Sequence, residues 1–435
     1  MKIFRSGLGP SEISALLDRR YQPSPSVERT VRAILADVSK NGDRALIRLT
    51  RKFGGPILPL ERLRVSGSEV EAARKSLDRK TREAIRASRK NVLAFARRSL
   101  RKTWFRKNAQ GAVVGERFDA FDRVGVYIPG GTAPLVSTAI MTCALAQAAG
   151  VREIVAVTPP DISGNTHPAL LAALGICGAT EIHRVGGAQA IAALALGTPT
   201  IRPVNKIFGP GNAYVVEAKR QVFGPVAIDL LPGPSEALVI ADAPARADWI
   251  AADLLAQCEH GQGSLGVLLT DSLRLLNAVA RSIQRQAAQS ARAYEVALAL
   301  DQAVLARVSS MEEAVRLANA FAPEHVSIAT RFPGRIAGKL TTAGAIFIGG
   351  LSPIAIGDFL AGPSHTLPTG GAAKSFSGLT SDQFQRRTSV LLFDEAALCA
   401  SAPFIEEFAR VEGLDAHGRS VAIRMAQNRR RAQSS

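Results

Sequence analysis

The chain has 435 residues, 47% of them hydrophobic and 21% charged, a globular balance that excludes a disordered or fibrous protein. The net charge of +17 raises the question of nucleic acid. Only 5% of residues are aromatic and they do not interleave with the basic runs, so the charge reads as a solvated basic surface with no nucleic-acid partner.

The four cysteines, Cys143, Cys177, Cys258 and Cys399, form no CxxC pair, which excludes a zinc ribbon or a redox dithiol. The opening MKIFRSGLGPSEIS lacks the pattern of an export signal, and with free thiols the expectation is a cytoplasmic protein. The least polar stretch, 133–149, contains Ser137, Thr138, Thr142 and Gln147 and reads as a buried helix, not a membrane span.

In chain order, residues 10–100 carry apolar positions at helical spacing with charged faces between them. From Arg123 the texture changes to alternating strands and helices. RVGVYIPGG is a strand ending in a glycine-rich turn, followed by a helix over 134–148, strand EIVAVTPP, a helix after Asn165, strand EIHRVGG, helix AQAIAALAL, and the unit NKIFGPGNAYVVEAKRQV. A second series starts near Glu236: strand EALVIAD, helix ADWIAADLLAQCEH, strand SLGVLLT, helix SLRLLNAVARSIQRQ, then AVLARVS, MEEAVRLANAF, HVSIAT and GAIFIGG. Short apolar runs between helices indicate parallel sheets covered on both faces. LLPGPSE at 230–236 interrupts both patterns and marks a boundary. After Ser381 the chain reads as helical, closing on a basic tail with an RRR run at 429–431.

Gly261-Gln262-Gly263-Ser264-Leu265-Gly266 matches G-x-G-x-x-G but follows a helix and precedes a strand, so it reads as a turn and not as a dinucleotide fingerprint. Four other turns, IPGGTAP (128–134), VGGAQA (185–190), FGPGNAY (208–214) and LPGPSE (231–236), each end an apolar run, where α/β sheets bind ligands. Gln257 and His260 lie three apart at a helix end and share a face; on spacing alone His260 is as readily a dipole partner as a metal ligand. Asp358 lies between Gly357 and Gly362, where an acid often forms a turn, and His417 follows near a helix end. Glu324-His325 at a strand edge suits a general acid/base pair, or a simple surface pair. Cys258 stands beside Gln257, and His365 near Asp358 receives no role.

These blocks together, VGVYIPGGTAPLVST, VGGAQAIAALA, KIFGPGNAYVVEAKRQV, GPSEALVIAD, DLLAQCEHG, APEHV, GDFLAGPSHTLPTGG and EGLDAHGRS, resemble the histidinol dehydrogenase family in content and order, over nearly the whole chain. The resemblance implies two Rossmann-like parallel-sheet α/β domains lacking the GxGxxG fingerprint, with smaller N- and C-terminal helical parts. We divide the chain into an N-terminal helical segment (1–22), a discontinuous α/β catalytic domain (23–125 and 234–380), a Rossmann-like domain with NAD contacts (126–233) and a C-terminal helical dimerisation segment (381–435). It implies zinc (Zn2+) held by Gln257, His260, Asp358 and His417, and acid/base work by Glu324 and His325. It implies NAD contacts from Tyr127, Gln189 and Asn212, and substrate contacts from Ser235, Gln257, His260, His325, Asp358, Glu412 and His417. The family is homodimeric, with Glu412 and His417 reaching the partner's active site. The implied reaction is four-electron oxidation of L-histidinol to L-histidine with two NAD. Pro232, Ile354, Phe359 and Ser364 depart from the family's usual residues around the site. A paralogue acting on another small alcohol, such as a sulfonated diol, is the alternative; the Glu412 carboxylate would repel a sulfonate.

Overall fold

The alternating segments fold into two parallel sheets joined by helices. The structure, a computed structural model, describes residues 1–19, 22–130 and 133–433, with side chains to Ala426. Gly131 and Thr132 of the IPGGTAP turn, and the side chains of the RRR run, lie outside the described residues. The strands are β1 (Lys2–Phe4), β2 (Trp104–Lys107), β3 (Val113–Ala120), β4 (Arg123–Tyr127), β5 (Glu153–Thr158), β6 (Glu181–Arg184), β7 (Lys206–Phe208), β8 (Ala227–Ile228), β9 (Glu236–Ala241), β10 (Leu265–Thr270), β11 (Val304–Arg307), β12 (His325–Ala329), β13 (Ala345–Ile348) and β14 (Gln385–Leu392).

The first sheet has the order β6-β5-β4-β7-β8 and the second β1-β11-β10-β9-β12-β13. Without β1, both sheets place their strands as third, second, first, fourth and fifth in chain order, the doubly wound topology with a switch point between the first and fourth. The 230–236 segment separates the two series. β4 and β9 are buried along their whole length, because helices cover both faces. In the 261–266 glycine segment, residues 261–264 turn the chain from the helix Ala247–Cys258 into β10, which begins at Leu265, as its context requires. Among the described residues no helix is long and apolar enough to cross a membrane.

Two compact units divide the chain: residues 1–99 with 121–384, and residues 100–120 with 385–435. The second unit holds a three-stranded antiparallel sheet, β14-β3-β2, and the helices Glu395–Glu412 and Asp415–Gln433 packed on each other.

Several sequence expectations differ from this architecture. The segment 1–22 contains a helix, Pro10–Leu17, but also β1, which extends the second sheet beside β11. A three-residue strand is too short to show a period. The segment 381–435 is not wholly helical: it begins with a single 3-10 turn and the eight-residue β14. The helices between 25 and 99 pack on the helices of the first sheet. Pro25–Lys52 packs on the helices Gly187–Leu196 and Ala213–Val222 of the first sheet, Gly67–Ser76 on Pro168–Ile176, and Arg79–Ser99 on Val136–Ala149. Amphipathicity shows that a helix has an apolar face, not which sheet that face meets. Arg79–Ser99 also reaches the second lobe, where Ser88 donates to the Phe359 carbonyl at 2.6 Å and Asn91 to that of Leu360 at 2.9 Å.

An ion cluster closes the amino end of the first sheet. Arg123 at the start of β4 binds Glu181 through two hydrogen bonds, 2.7 and 3.0 Å, and Glu153 through a third. The Arg123 guanidinium holds the Glu181 carboxyl down to about 2. A depressed carboxyl contributes stability that is present above its unfolded value and lost as pH falls toward the folded one. Glu181→Gln should therefore cost on the order of 2–3 kcal/mol near neutrality and nothing at pH about 2. Chemical denaturation of both proteins across that range checks this; an equal cost at every pH would contradict it.

Candidate active site

The amino ends of β9 and β12 lie side by side, and the proposed acid/base pair, Glu324 and His325, is built there. The helix Met311–Phe321 stops at Ala322, whose φ of 52° is the one left-handed non-glycine conformation among the described residues. Pro323 then leads the chain into β12, whose first residue, His325, stands in register with Ala237. Glu236, one position earlier on β9, holds both members of the pair through its main chain. Its N–H donates to Glu324 Oε2 at 2.8 Å, and its carbonyl lies 3.0 Å from His325 Nδ1.

A carbonyl can only accept, so His325 Nδ1 carries the proton and Nε2 keeps its lone pair. Nε2 faces Asp358 Oδ1 at 3.7 Å. Burial, with His365 and His260 nearby, pushes the His325 imidazole down to about 4, so the ring is neutral. Burial pushes the Glu324 carboxyl well above its usual range, reinforced by Glu236 and Asp358 and opposed only by the Glu236 N–H. A carboxyl so raised keeps its proton to higher pH than an ordinary surface glutamate does, a property of general acid/base groups. His325 opens on a cleft of about 490 Å³ lined also by Phe347, Ile356, Gly357, Ser364 and His365 among others. Gly357 is required by packing, since a Cβ there would stand 2.7 Å from the Phe347 ring.

Of the proposed metal donors of the first unit, Asp358 lies on the helix Ile354–Phe359, which packs on the helix Ala247–Cys258 that carries Gln257. Gln257 is buried in the last turn of the helix Ala247–Cys258, and His260 follows it by one turn. His260 exposes its ring, yet the protein crowded around it and the Arg292 guanidinium disfavour its charged form. Burial raises the Asp358 carboxyl to about 6. One amide carbonyl, one neutral imidazole and one carboxylate are a donor set that suits zinc. The buried Gln257 Nε2 has no hydrogen-bond partner, an unsettled amide that a ligand on its oxygen would help to orient. Among the described residues no group of three or more His, Cys, Asp or Glu side chains is gathered to hold a metal. Glu412 and His417 lie in the second unit, Glu412 ending one helix and His417 in the first turn of the next, both exposed. Ser235 is half-buried immediately before β9.

The three proposed cofactor contacts sit at the carboxyl edge of the first sheet. Tyr127 ends β4, is buried, and accepts the Gly187 N–H at 3.1 Å. Gln189 is buried in the first turn of its helix with Oε1 unpartnered. Asn212 caps the helix Ala213–Val222, its Oδ1 accepting from Tyr214 and Val215 at 3.1 Å each. Gly209 lets this turn touch β4: its φ is 111°, and a Cβ would stand 2.2 Å from the Tyr127 carbonyl oxygen. An unsatisfied buried amide beside close-approaching glycine backbone fits a dinucleotide at this switch point.

Three residues of this neighbourhood carried no expectation from sequence. His365 bridges the lobes, Nδ1 lying 3.0 Å from the Asp358 carbonyl and Nε2 3.2 Å from Thr138 Oγ1. Burial pushes it down to about 4. Ser364 adds a bond to the Met141 carbonyl at 3.3 Å. Glu236 carried no signal because it acts through its backbone. Cys258 is buried, its thiol pushed up to about 11, so it packs the core and is no thiolate nucleophile.

Fold and site together define a two-lobed α/β enzyme with a buried glutamate–histidine pair on one lobe and a glycine-rich crevice on the other. The family model described as histidinol dehydrogenase matches residues 17–425. The histidinol dehydrogenase of Rhodopseudomonas palustris is 44% identical over 418 residues, 96% of this chain and 97% of that one. That of Geobacillus kaustophilus is 44% identical over 398 residues, 91% and 93% of the two chains. The crystal structure of histidinol dehydrogenase from Elizabethkingia anophelis aligns with TM-score 0.93 at 35% identity, covering 99% of both chains. The chain belongs to the histidinol dehydrogenase family and is an oxidoreductase.

The raised Glu324 carboxyl has a stability consequence. A buried acid with a raised folded value binds its proton more tightly when folded, so stability falls as pH rises above its unfolded value, roughly 4.3. Glu324→Gln should fold, and should gain stability relative to the parent as pH rises from about 5 to 8. Thermal melts over that range test it; a pH-independent loss would contradict the buried, protonatable acid.

Proposed function

We propose that the protein oxidises L-histidinol to L-histidine through the aldehyde, using two NAD and zinc, as the last steps of histidine biosynthesis in the cytoplasm. The observation that carries this reading is the His325 tautomer: Nδ1 is bound to the Glu236 carbonyl, and the basic Nε2 is left facing the cleft. Family membership supplies the substrate.

Gln257, His260 and Asp358, with His417 from a second copy, would hold the metal. When bound, zinc supplies a Lewis acid that holds the substrate and eases loss of its hydroxyl proton. Tyr127, Gln189 and Asn212 would seat NAD, the acceptor of each hydride. His325 Nε2 takes the hydroxyl proton as the carbinol carbon gives up its hydride, leaving the aldehyde. Glu324, in its deprotonated form, takes a proton from water as the oxygen adds to the aldehyde carbon, giving the hydrate as its alkoxide. His325, having released its first proton, takes a second from the hydrate as the second hydride leaves, and the carboxylate forms. Ser235 and Glu412 would contact the substrate, the Glu412 carboxylate favouring its ammonium group. Burial serves these steps by excluding bulk water from the pair.

Because Glu412 and His417 belong to the second unit, we propose a symmetric homodimer in which each subunit completes its partner's site. The exposed apolar residues Phe404, Phe408 and Val411 on the helix Glu395–Glu412 support a covered surface there.

Purified, zinc-loaded protein should form two NADH per L-histidinol, and His325→Ala should abolish it. Turnover of another alcohol but not histidinol would move the substrate while keeping the chemistry. Mixing inactive His325→Ala and His417→Ala proteins under subunit exchange should restore about a quarter of parental activity, since half the dimers then carry one intact site of two. No recovery would contradict shared sites.

A further inference from the structure

Arg19 is remote in sequence from the acid/base pair, yet its guanidinium ends beside the residue that holds that pair. It ion-pairs with Glu236 Oε1 and donates to the Phe321 carbonyl, while its Nε donates to the Leu16 carbonyl at 3.0 Å. The guanidinium carbon lies 3.3 Å from the centroid of the Phe321 ring. Phe321 is the last residue of the helix that delivers Glu324 and His325. Arg19 therefore touches both the strand start that holds the pair and the helix end that delivers it.

Glu236 is buried, with 4% of its surface exposed. Besides Arg19, its Oε1 accepts the Gly370 N–H at 3.0 Å, and Oε2 has no partner. Its main chain binds Glu324 and His325, as described above. A buried carboxylate stripped of its cation does not stay where it was: it protonates or moves toward water. Glu236 is the first residue of β9, at the junction with the LPGPSE turn, and the carboxylate that Arg19 holds belongs to the same residue whose N–H and carbonyl bind the pair.

We infer that Arg19 is a positioning residue for the oxidation: through Glu236 it fixes Glu324 and the Nδ1–H tautomer of His325. The inference rests on the acid/base reading of that pair. Arg19 touches neither reacting atom, so its removal should lower kcat while leaving KM and metal content nearly unchanged.

The surroundings of Arg19 supply a sharp test. It lines a cavity of about 330 Å³ together with Lys2, Phe4, Leu8, Glu12 and Leu265. Truncating it leaves a space that a small planar cation can enter from that side. In the full-length, zinc-loaded enzyme, Arg19→Ala should lose kcat on the order of 10- to 100-fold. Added guanidinium should restore it in a saturable way, while sodium at equal ionic strength should not, and Arg19→Lys should fall between. A parental kcat in Arg19→Ala overturns the inference. So does a loss that guanidinium fails to restore in protein that still binds zinc and melts normally. Should Arg19→Ala not fold, Arg19→Lys and Glu236→Gln carry the test, because losses running through one link are no larger in the double variant than in the worse single one; additive losses overturn it. His325→Gln is assayed beside them. Parental kcat there defeats the acid/base reading itself, whereas an inactive His325→Gln with a normal Arg19→Ala defeats the positioning role alone.

Discussion

The main chain of Glu236 gives one hydrogen bond to Glu324 and receives one from His325, and the rest of the site is arranged around those two bonds. They exist because β9 and β12 are parallel neighbours in a register that sets Ala237 against His325. A one-residue slip would turn both side chains to the opposite face. The register is held by burial: Leu238, Ile240, Val326 and Ile328 share one apolar cluster, and β9 has no exposed position. Core packing thus determines which imidazole nitrogen is basic.

The two sheets share a strand order but use opposite edges. In the first, Tyr127, Gln189 and Asn212 gather at the carboxyl ends, where doubly wound sheets bind their ligands. In the second, Glu236 and His325 are the first residues of their strands, so the acid/base pair sits at the amino edge. The helix Val136–Ala149, which follows the first glycine-rich turn, joins the two lobes through Thr138 to His365 and Met141 to Ser364. Those bonds join the crevice lobe to the lobe that carries Glu324 and His325, as the proposed hydride transfer between them would require.

Much of this was legible in the sequence, for reasons that differ between elements. The alternation from Arg123 to Phe208, and again from Glu236 to Ile348, shows because buried parallel strands are short unbroken apolar runs. The false G-x-G-x-x-G at 261–266 could be set aside because order along the chain, helix then strand, is itself a physical constraint. β1, β2, β3 and β14 escaped notice: β2 and β14 are largely exposed and mixed in composition, and β1 and β14 pair with strands far away in sequence. The proposed ligands were found through long motifs, not spacing, since Gln257 and Asp358 are separated by a hundred residues, on helices that come together only in the fold. Glu236 and Arg19 were invisible for a deeper reason. One works through backbone atoms that every residue possesses, and the other through a partner more than two hundred positions away.

The most direct test of this arrangement is the protonation state of His325, read from ring-nitrogen chemical shifts of protein carrying isotope-labelled histidine, with His325→Gln to assign the signal. The expected result is a neutral ring near pH 7 with its proton on Nδ1 and an unprotonated Nε2. A ring protonated on Nε2 alone, or on both nitrogens at that pH, would contradict the account, because no base would then face the cleft.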